Sequence, residues 1–289
     1  MPGPVVQVRA VIKTTKPAII LLLAFTAIAA AIVAYGGISV FTWRPFLFCL
    51  VAVVLGSAGS EAMTAFTDRD IDKIMRRTEN RPVPSGLLVA TVPLFFGLAL
   101  VVIASLFAFL VGLLVVALLW IAIADNVLVY SVWLKRRSRW NVIAGGVCGG
   151  VPVLMAWASV TGELSITSFF LAAVVIVWIP LHIWSFSLEY REDYERAAIP
   201  MYPLTISGPR SFLAVGSAGL VLTMFSFLAY VAGVKSYVLL ATSLLMGMIV
   251  VALSVALIFN PTKRNAERVF VFSNIYLLGF FLAIMLPYI

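Results

Sequence analysis

Carboxylates and guanidinium groups crowd into one short stretch of this chain, residues 61–84. On a helix, steps of seven and four residues return close to the starting face, so Glu61, Asp68 and Asp72 share one stripe, while Asp70 points away or belongs to a loop. Three carboxylates this close repel one another unless a cation sits among them. Hard oxygen ligands, few in number and leaving room for phosphate oxygens, suit Mg2+. Lys73, Arg76, Arg77 and Arg81 come next, and Pro82 and Pro84 stiffen the chain after them. Metal-holding acids beside guanidinium groups that grip phosphate oxygens can bind a diphosphate and stabilise it as it leaves. The same stretch also reads as a solvated, salt-bridged loop, and taken alone it leaves the two readings even.

A second acidic group breaks that tie. His182, Trp184, Glu189, Glu192 and Asp193 lie together, and Glu189 with Asp193 forms an i, i+4 pair on one face, mildly unfavourable without a cation. Lys135, Arg136 and Arg137 form a basic group whose simplest role is to anchor a helix at anionic headgroups, with contact to a diphosphate as the alternative for Lys135 or Arg136. Glu61 and Asp125 fall inside apolar runs, where carboxylates are costly and face a cavity or a partner; Asn126 is the neighbour that would hydrogen-bond Asp125. His182 is the only histidine, and beside tryptophan it reads first as a packed interfacial residue.

The elements that must carry these groups follow from composition. Of 289 residues, 63% are hydrophobic and 11% charged, with a mean hydropathy of +1.12, more apolar surface than a soluble core needs. The class expected is all-α integral membrane, a single domain over residues 1–289, since only helices satisfy their own backbone through runs of about 20 apolar residues. Nine such runs are read, at 18–35, 45–66, 87–106, 107–132, 142–160, 166–188, 212–232, 237–259 and 269–288. No charge or proline marks the boundary between the third and fourth. The first has a basic lead-in that also resembles a cleaved signal, but it is long enough to span a bilayer.

Counting connections alternately, 18 of the 20 Lys and Arg fall on the N-terminal side, and only Arg44 and Lys235 lie opposite. The positive-inside rule then gives N-in and C-out, and the net charge of +8 is a topology signal with the bilayer as partner, not a nucleic-acid footprint. Cys49 and Cys148 both lie in apolar runs and read as packing residues. An Arg- and Ser-rich transit segment is not seen, which favours a prokaryotic plasma membrane.

Acidic groups follow helices 2 and 6, and basic groups follow helices 4 and 8. A period of four helices gives two units of the same orientation plus a ninth helix, so the acidic ends would face one another across a central cavity at the cytoplasmic side. A transporter using Glu61 and Asp125 as relays could share that symmetry.

At these residues the chain resembles the UbiA-type membrane prenyltransferases, and within them the heme O synthase branch. The carrying motifs are Asp68-Arg69-Asp70-Ile71-Asp72 with Met75, Arg77-Thr78 and Asn80-Arg81-Pro82; then Tyr130, Trp133-Leu134-Lys135-Arg136, Asn141, Gly145-Gly146, Pro152, Trp157 and Val160-Thr161-Gly162; then His182, Trp184, Tyr190, Asp193-Tyr194, Ala197 and Ile199-Pro200-Met201. Thr64, Leu181 and Glu192 depart from the pattern. The resemblance implies a nine-helix fold, farnesyl diphosphate as donor and heme b as acceptor. It also implies Mg2+ at the two acidic motifs; with the i, i+4 pair the ligands expected are Asp68, Asp72, Glu189 and Asp193, of which Asp68, Asp72 and Asp193 would be catalytic. Arg76, Arg77, Arg81, Lys135 and Arg136 would bind the diphosphate, and His182, Trp184, Tyr130 and Glu61 would face the acceptor. Other acceptors, such as a quinone precursor, share the ionisation step.

Overall fold

A computed structural model describes residues 3–37 and 43–289. Among the described residues nine helices are long and apolar enough to cross a membrane, as the hydropathy runs require. A short helix, α1 (Pro4–Thr14), precedes them. The first half comprises α2 (Pro17–Tyr35), α3 (Trp43–Thr67), the short α4 (Arg69–Ile74), α5 (Thr91–Val111) and α6 (Leu113–Ile123). The second comprises α7 (Asn141–Ala144), α8 (Val147–Thr161), α9 (Ile166–Glu189), the short α10 (Arg191–Arg196), α11 (Pro209–Val231), α12 (Tyr237–Phe259) and α13 (Lys263–Met285).

The helices close a ring: α3 packs on α5, α6 on α8, α2 on α8, α9 on both α8 and α11, and α13 ties α9, α12 and α2 together. Small residues of α2, Ala27 and Ala29 to Ala31, are buried to 1% or less and let it run close to its neighbours. Leu106, Phe109, Leu110 and Leu113 stay exposed on α5 and α6, a surface that suits lipid and no aqueous phase.

Two boundaries differ from the sequence reading. The third and fourth spans meet at Gly112, not at 106/107. Gly112 has φ 156° and ψ 161°, a region essentially reserved for glycine, so the chain breaks there without charge or proline. The helix expected to carry Glu61 through Asp72 bends at Asp68 (φ −93°, ψ 0°). Its hydrogen bonding still runs on, from Asp68 N to Thr64 O and from Asp72 N to Asp68 O, so the stripe survives the bend.

Beyond α6 the helix widens into π turns over Ala124–Leu134, closed by Lys135 N donating to Tyr130 O at 2.8 Å. In an α-helix residues five apart diverge by about 140°. The wider turn brings Tyr130 and Lys135 to one side, a common device at functional sites. At the N-terminal end, Lys16 takes the left-handed conformation (φ 51°, ψ 67°) before Pro17. A non-glycine residue there costs about 1 kcal/mol, and the turn swings α1 away from α2 and across the membrane-end surface of α3 and α5.

Candidate active site

A cavity of about 520 Å3 runs through the middle of the ring, lined by α2, α3, α6 with its π extension, α8, α9 and α13. Most of its wall is apolar, from Leu22 and Val53 to Met155 and Ile179, and its ionisable groups gather where α3 gives way to α4. Asp68 and Asp72 are buried there. Lys135 Nζ donates to Asp68 Oδ2 at 2.5 Å, and Arg81 Nη1 donates to Asp72 Oδ2 at 2.9 Å. Each carboxylate thus has its own cation, but Asp68 Oδ1 is buried with no hydrogen-bond partner. Lys135 also lies 5.6 Å from the Tyr130 ring. Tyr130 reaches this position because residue 145 is glycine: a Cβ there would stand 2.6 Å from Tyr130 Cδ2.

Arg77 lines the same end and lies over the rings of Phe186 and Tyr190, at 4.9 and 5.7 Å. Its backbone is fixed by the second acidic group. Arg76 N donates to Asp193 Oδ1 and Arg77 N to Asp193 Oδ2, both at 3.1 Å, and Arg196 Nη2 also donates to Oδ1. Burial alone would raise the Asp193 pKa, but these N–H groups and Arg196 outweigh it and hold the carboxyl below its usual range. Tyr194, one residue on, lines the cavity, and burial pushes its hydroxyl up to about 12, keeping it a neutral donor.

A second polar group lies further along α3. Lys16 Nζ donates to Glu61 Oε2 at 2.5 Å and to Thr64 Oγ1 at 3.3 Å, and Asn126 Nδ2 donates to Ser60 Oγ at 2.9 Å and Glu61 Oε1 at 3.4 Å. Asn126 therefore serves Glu61 and not Asp125. Asp125 instead accepts from Cys148 N at 2.8 Å, at the start of α8, where free N–H groups favour an anion. That accounts for Asp125 structurally. Cys49 is fully buried and Cys148 half-buried, both free thiols.

His182 is on the cavity wall, sandwiched by Trp178 at 4.3 Å and Phe270 at 4.5 Å. Its Nδ1 is 2.8 Å from Ser273 Oγ. The Ser273 hydroxyl is placed to donate to Phe270 O at 2.6 Å, and the tautomer that suits this pattern carries the ring proton on Nδ1. Nε2 is left with its lone pair.

The cavity thus gathers Asp68, Asp72, Arg77, Arg81, Lys135, Tyr130, Glu61 and His182 of the residues singled out by sequence. It leaves out five. The side chain of Arg76 is exposed, and only its backbone N–H is used. Arg136 forms a bidentate pair with Asp70 on the exposed outer face of α4, at 2.5 and 2.6 Å. Trp184 is buried against Tyr202, centroids 5.3 Å apart, outside the cavity. Glu189 and Asp193 are not on its wall either; Glu189 is half-buried with Oε2 unpartnered. Lys16 is the residue that sequence reasoning read only as a topology marker. The signal was available, since an acid embedded at Glu61 needs a cation and Lys16 opens the first span.

Among the described residues no three His, Cys, Asp or Glu side chains converge on a point. The donor set still fits a hard divalent ion: two carboxylates of one cavity end, one with a free buried oxygen, and space for phosphate oxygens to complete the shell. The description "UbiA prenyltransferase family" is matched by residues 22–283. The chain belongs to the UbiA prenyltransferase family. It is 42% identical, over 96% of its length and 87% of the relative's, to a protoheme IX farnesyltransferase of Desulforudis audaxviator. It is 35% identical to that of Thermoplasma volcanium, over 97% and 98%. Among solved structures, a UbiA homolog from Aeropyrum pernix K1 superposes with a TM-score of 0.76 at 18% identity, over 93% of this chain and 98% of that one. A UbiA homolog from Archaeoglobus fulgidus bound to GPP and Mg2+ does so with a TM-score of 0.66 at 12% identity, over 95% and 99%. These likenesses agree with the all-helical UbiA fold and with a membrane-embedded prenyltransferase.

Proposed function

We propose that this UbiA-family enzyme transfers the farnesyl group of farnesyl diphosphate to a vinyl group of heme b, giving heme O. The observation that carries the reading is the division of one cavity into an apolar bore and a charged end where Asp68 and Asp72 sit among Lys135, Arg81 and Arg77. An isoprenoid chain fits the bore, and its diphosphate fits the charged end. Asp68 and Asp72 would hold Mg2+, which supplies positive charge to the diphosphate as the C–O bond breaks. Lys135, Arg81 and Arg77 take up the charge that develops on the leaving oxygens. Asp193 acts on Arg77 through the backbone, as a positioning residue. The aromatic faces of Tyr130 and Phe186 shield the allylic cation left behind.

The vinyl carbon of heme then bonds to C1 of the farnesyl cation, and water captures the new cation beside the macrocycle, losing a proton. His182, with Nδ1–H held by Ser273, presents Nε2 as a ligand for the heme iron. Trp178 and Phe270 hold the imidazole between them and so fix the direction of Nε2. The excess of cations at the N-terminal side supports an orientation with this end of the cavity toward the cytoplasm.

The test is incubation of the purified protein with heme b, farnesyl diphosphate and Mg2+, with and without chelator, followed by mass spectrometry of the pigment. A chelator-sensitive hydroxyfarnesylethyl heme is expected. Unchanged heme with the diphosphate consumed, or the prenyl group passed to a quinone precursor, would reject the acceptor.

A further inference from the structure

A second cavity, of about 370 Å3, lies between α1, Ala65 on α3 and residues 77–84. Lys16, Asp72, Arg77 and Arg81 line both cavities, so the two meet at one wall. The second differs in character: Lys13, Lys16, Arg77 and Arg81 face a single carboxylate, Asp72, with the Asn80 amide beside them. Asp72 is already matched by Arg81, and Lys16 is turned to Glu61 on the main-cavity side. Lys13 and Arg77 have no ion-pair partner among the described residues. Lys13, uncompensated and particular to this cavity, together with Arg77, which both cavities share, makes it a site for an anion.

We infer that this cavity is a vestibule that binds free diphosphate, the product of prenyl transfer, on its way out of the enzyme. The inference rests on the donor reading above. When the C–O bond breaks, its electron pair stays with the diphosphate, which leaves more highly charged than it arrived. Such an anion cannot leave along the apolar bore by which isoprenoid and porphyrin enter. The wall shared by the cavities is built from the cations that hold the diphosphate during transfer, so the anion passes from Arg81 and Arg77 to Lys13 without being bare. The vestibule is held open on both sides. Ala10 of α1 is buried against Val83 and Leu88, Pro82 and Pro84 stiffen the facing segment, and the left-handed turn at Lys16 sets the angle of α1.

The test uses the full-length protein in phosphatidylcholine nanodiscs with Mg2+, its main cavity filled by farnesyl thiolodiphosphate, which resists cleavage. Isothermal titration with inorganic diphosphate should show one further binding event, weakened at least tenfold by Lys13→Glu and kept by Lys13→Arg. Lys13 is exposed, so neither change disturbs the core. No binding to the preloaded protein, or equal affinity in wild type and Lys13→Glu, overturns the vestibule. An anionic headgroup carries the same chemistry, so the titration is repeated with phosphatidylglycerol. If Lys13→Glu alters only retention of that lipid and not diphosphate affinity, the site belongs to lipid and the inference falls. If the wild type fails to bind the farnesyl analogue, the donor reading fails by itself. Titration of the unloaded protein then decides the vestibule, by whether Lys13→Glu weakens inorganic diphosphate binding.

Discussion

The two acidic helix ends of this enzyme carry the same side chains to different work. At the α3–α4 bend, Asp68 and Asp72 face the cavity and meet cations on side chains. At the α9–α10 bend, Asp193 faces the first motif instead, and both its oxygens are taken by backbone N–H groups of Arg76 and Arg77. A sequence-level symmetry of four helices therefore becomes a structural asymmetry: one motif lines the cavity, the other holds the segment that carries Arg77. The gain is rigidity, since a carboxylate gripping two successive N–H groups fixes the exposed Arg76–Arg77 turn that follows the buried Met75.

The largest effect should come from the first motif. Asp68→Ala removes the acid with the free oxygen and strands Lys135, and kcat for prenyl transfer should fall about 10³-fold, in the range set by losing one focal electrostatic group; steady-state turnover with saturating Mg2+ checks it. Asp193→Asn should fall less, by about ten- to a hundredfold: the amide keeps one neutral acceptor, and the other backbone N–H of the clamp loses its partner to the Asn NH2. The same variant should be less stable at pH 7. The sign follows from its depressed pKa: the clamp is complete above about pH 4, the range of a free carboxyl, and is lost as pH falls through the lower folded value. The thermal-unfolding gap between wild type and Asp193→Asn should therefore narrow as pH falls below about 4. Arg76→Ala should change kcat less than about twofold, because the substitution keeps the N–H that Asp193 uses. Asp70→Asn, on the exposed outer pair with Arg136, should cost at most about 1 kcal/mol in unfolding and leave turnover unchanged.

Much of this was legible in the sequence. Hydropathy located the nine spans found among the described residues, and helical periodicity put Glu61, Asp68 and Asp72 on one face with Asp70 outside, as the cavity wall has them. What periodicity assumes is a regular helix, and the first misses fall where the helix is irregular. The break at Gly112 depends on a backbone conformation that no apolar pattern records. The π turns before Lys135 bring it to the cavity while Arg136, one residue on, pairs with Asp70 outside; spacing alone left the two equivalent. Trp184 and Glu189 share α9 with His182, yet packing against Tyr202 and the half-buried end of the helix turn them from the cavity. The direction of Asp193 depends on a contact between residues 116 and 117 positions apart, which local sequence cannot report.

The asymmetry of the two motifs is tested most directly by the Mg2+ dependence of farnesyl transfer in Asp68→Asn and Asp193→Asn. The expected result is that Asp68→Asn raises the half-activating Mg2+ concentration more than tenfold, while Asp193→Asn lowers the plateau rate and moves that concentration less than twofold. An equal rise in both variants would make Asp193 a metal ligand and contradict the account.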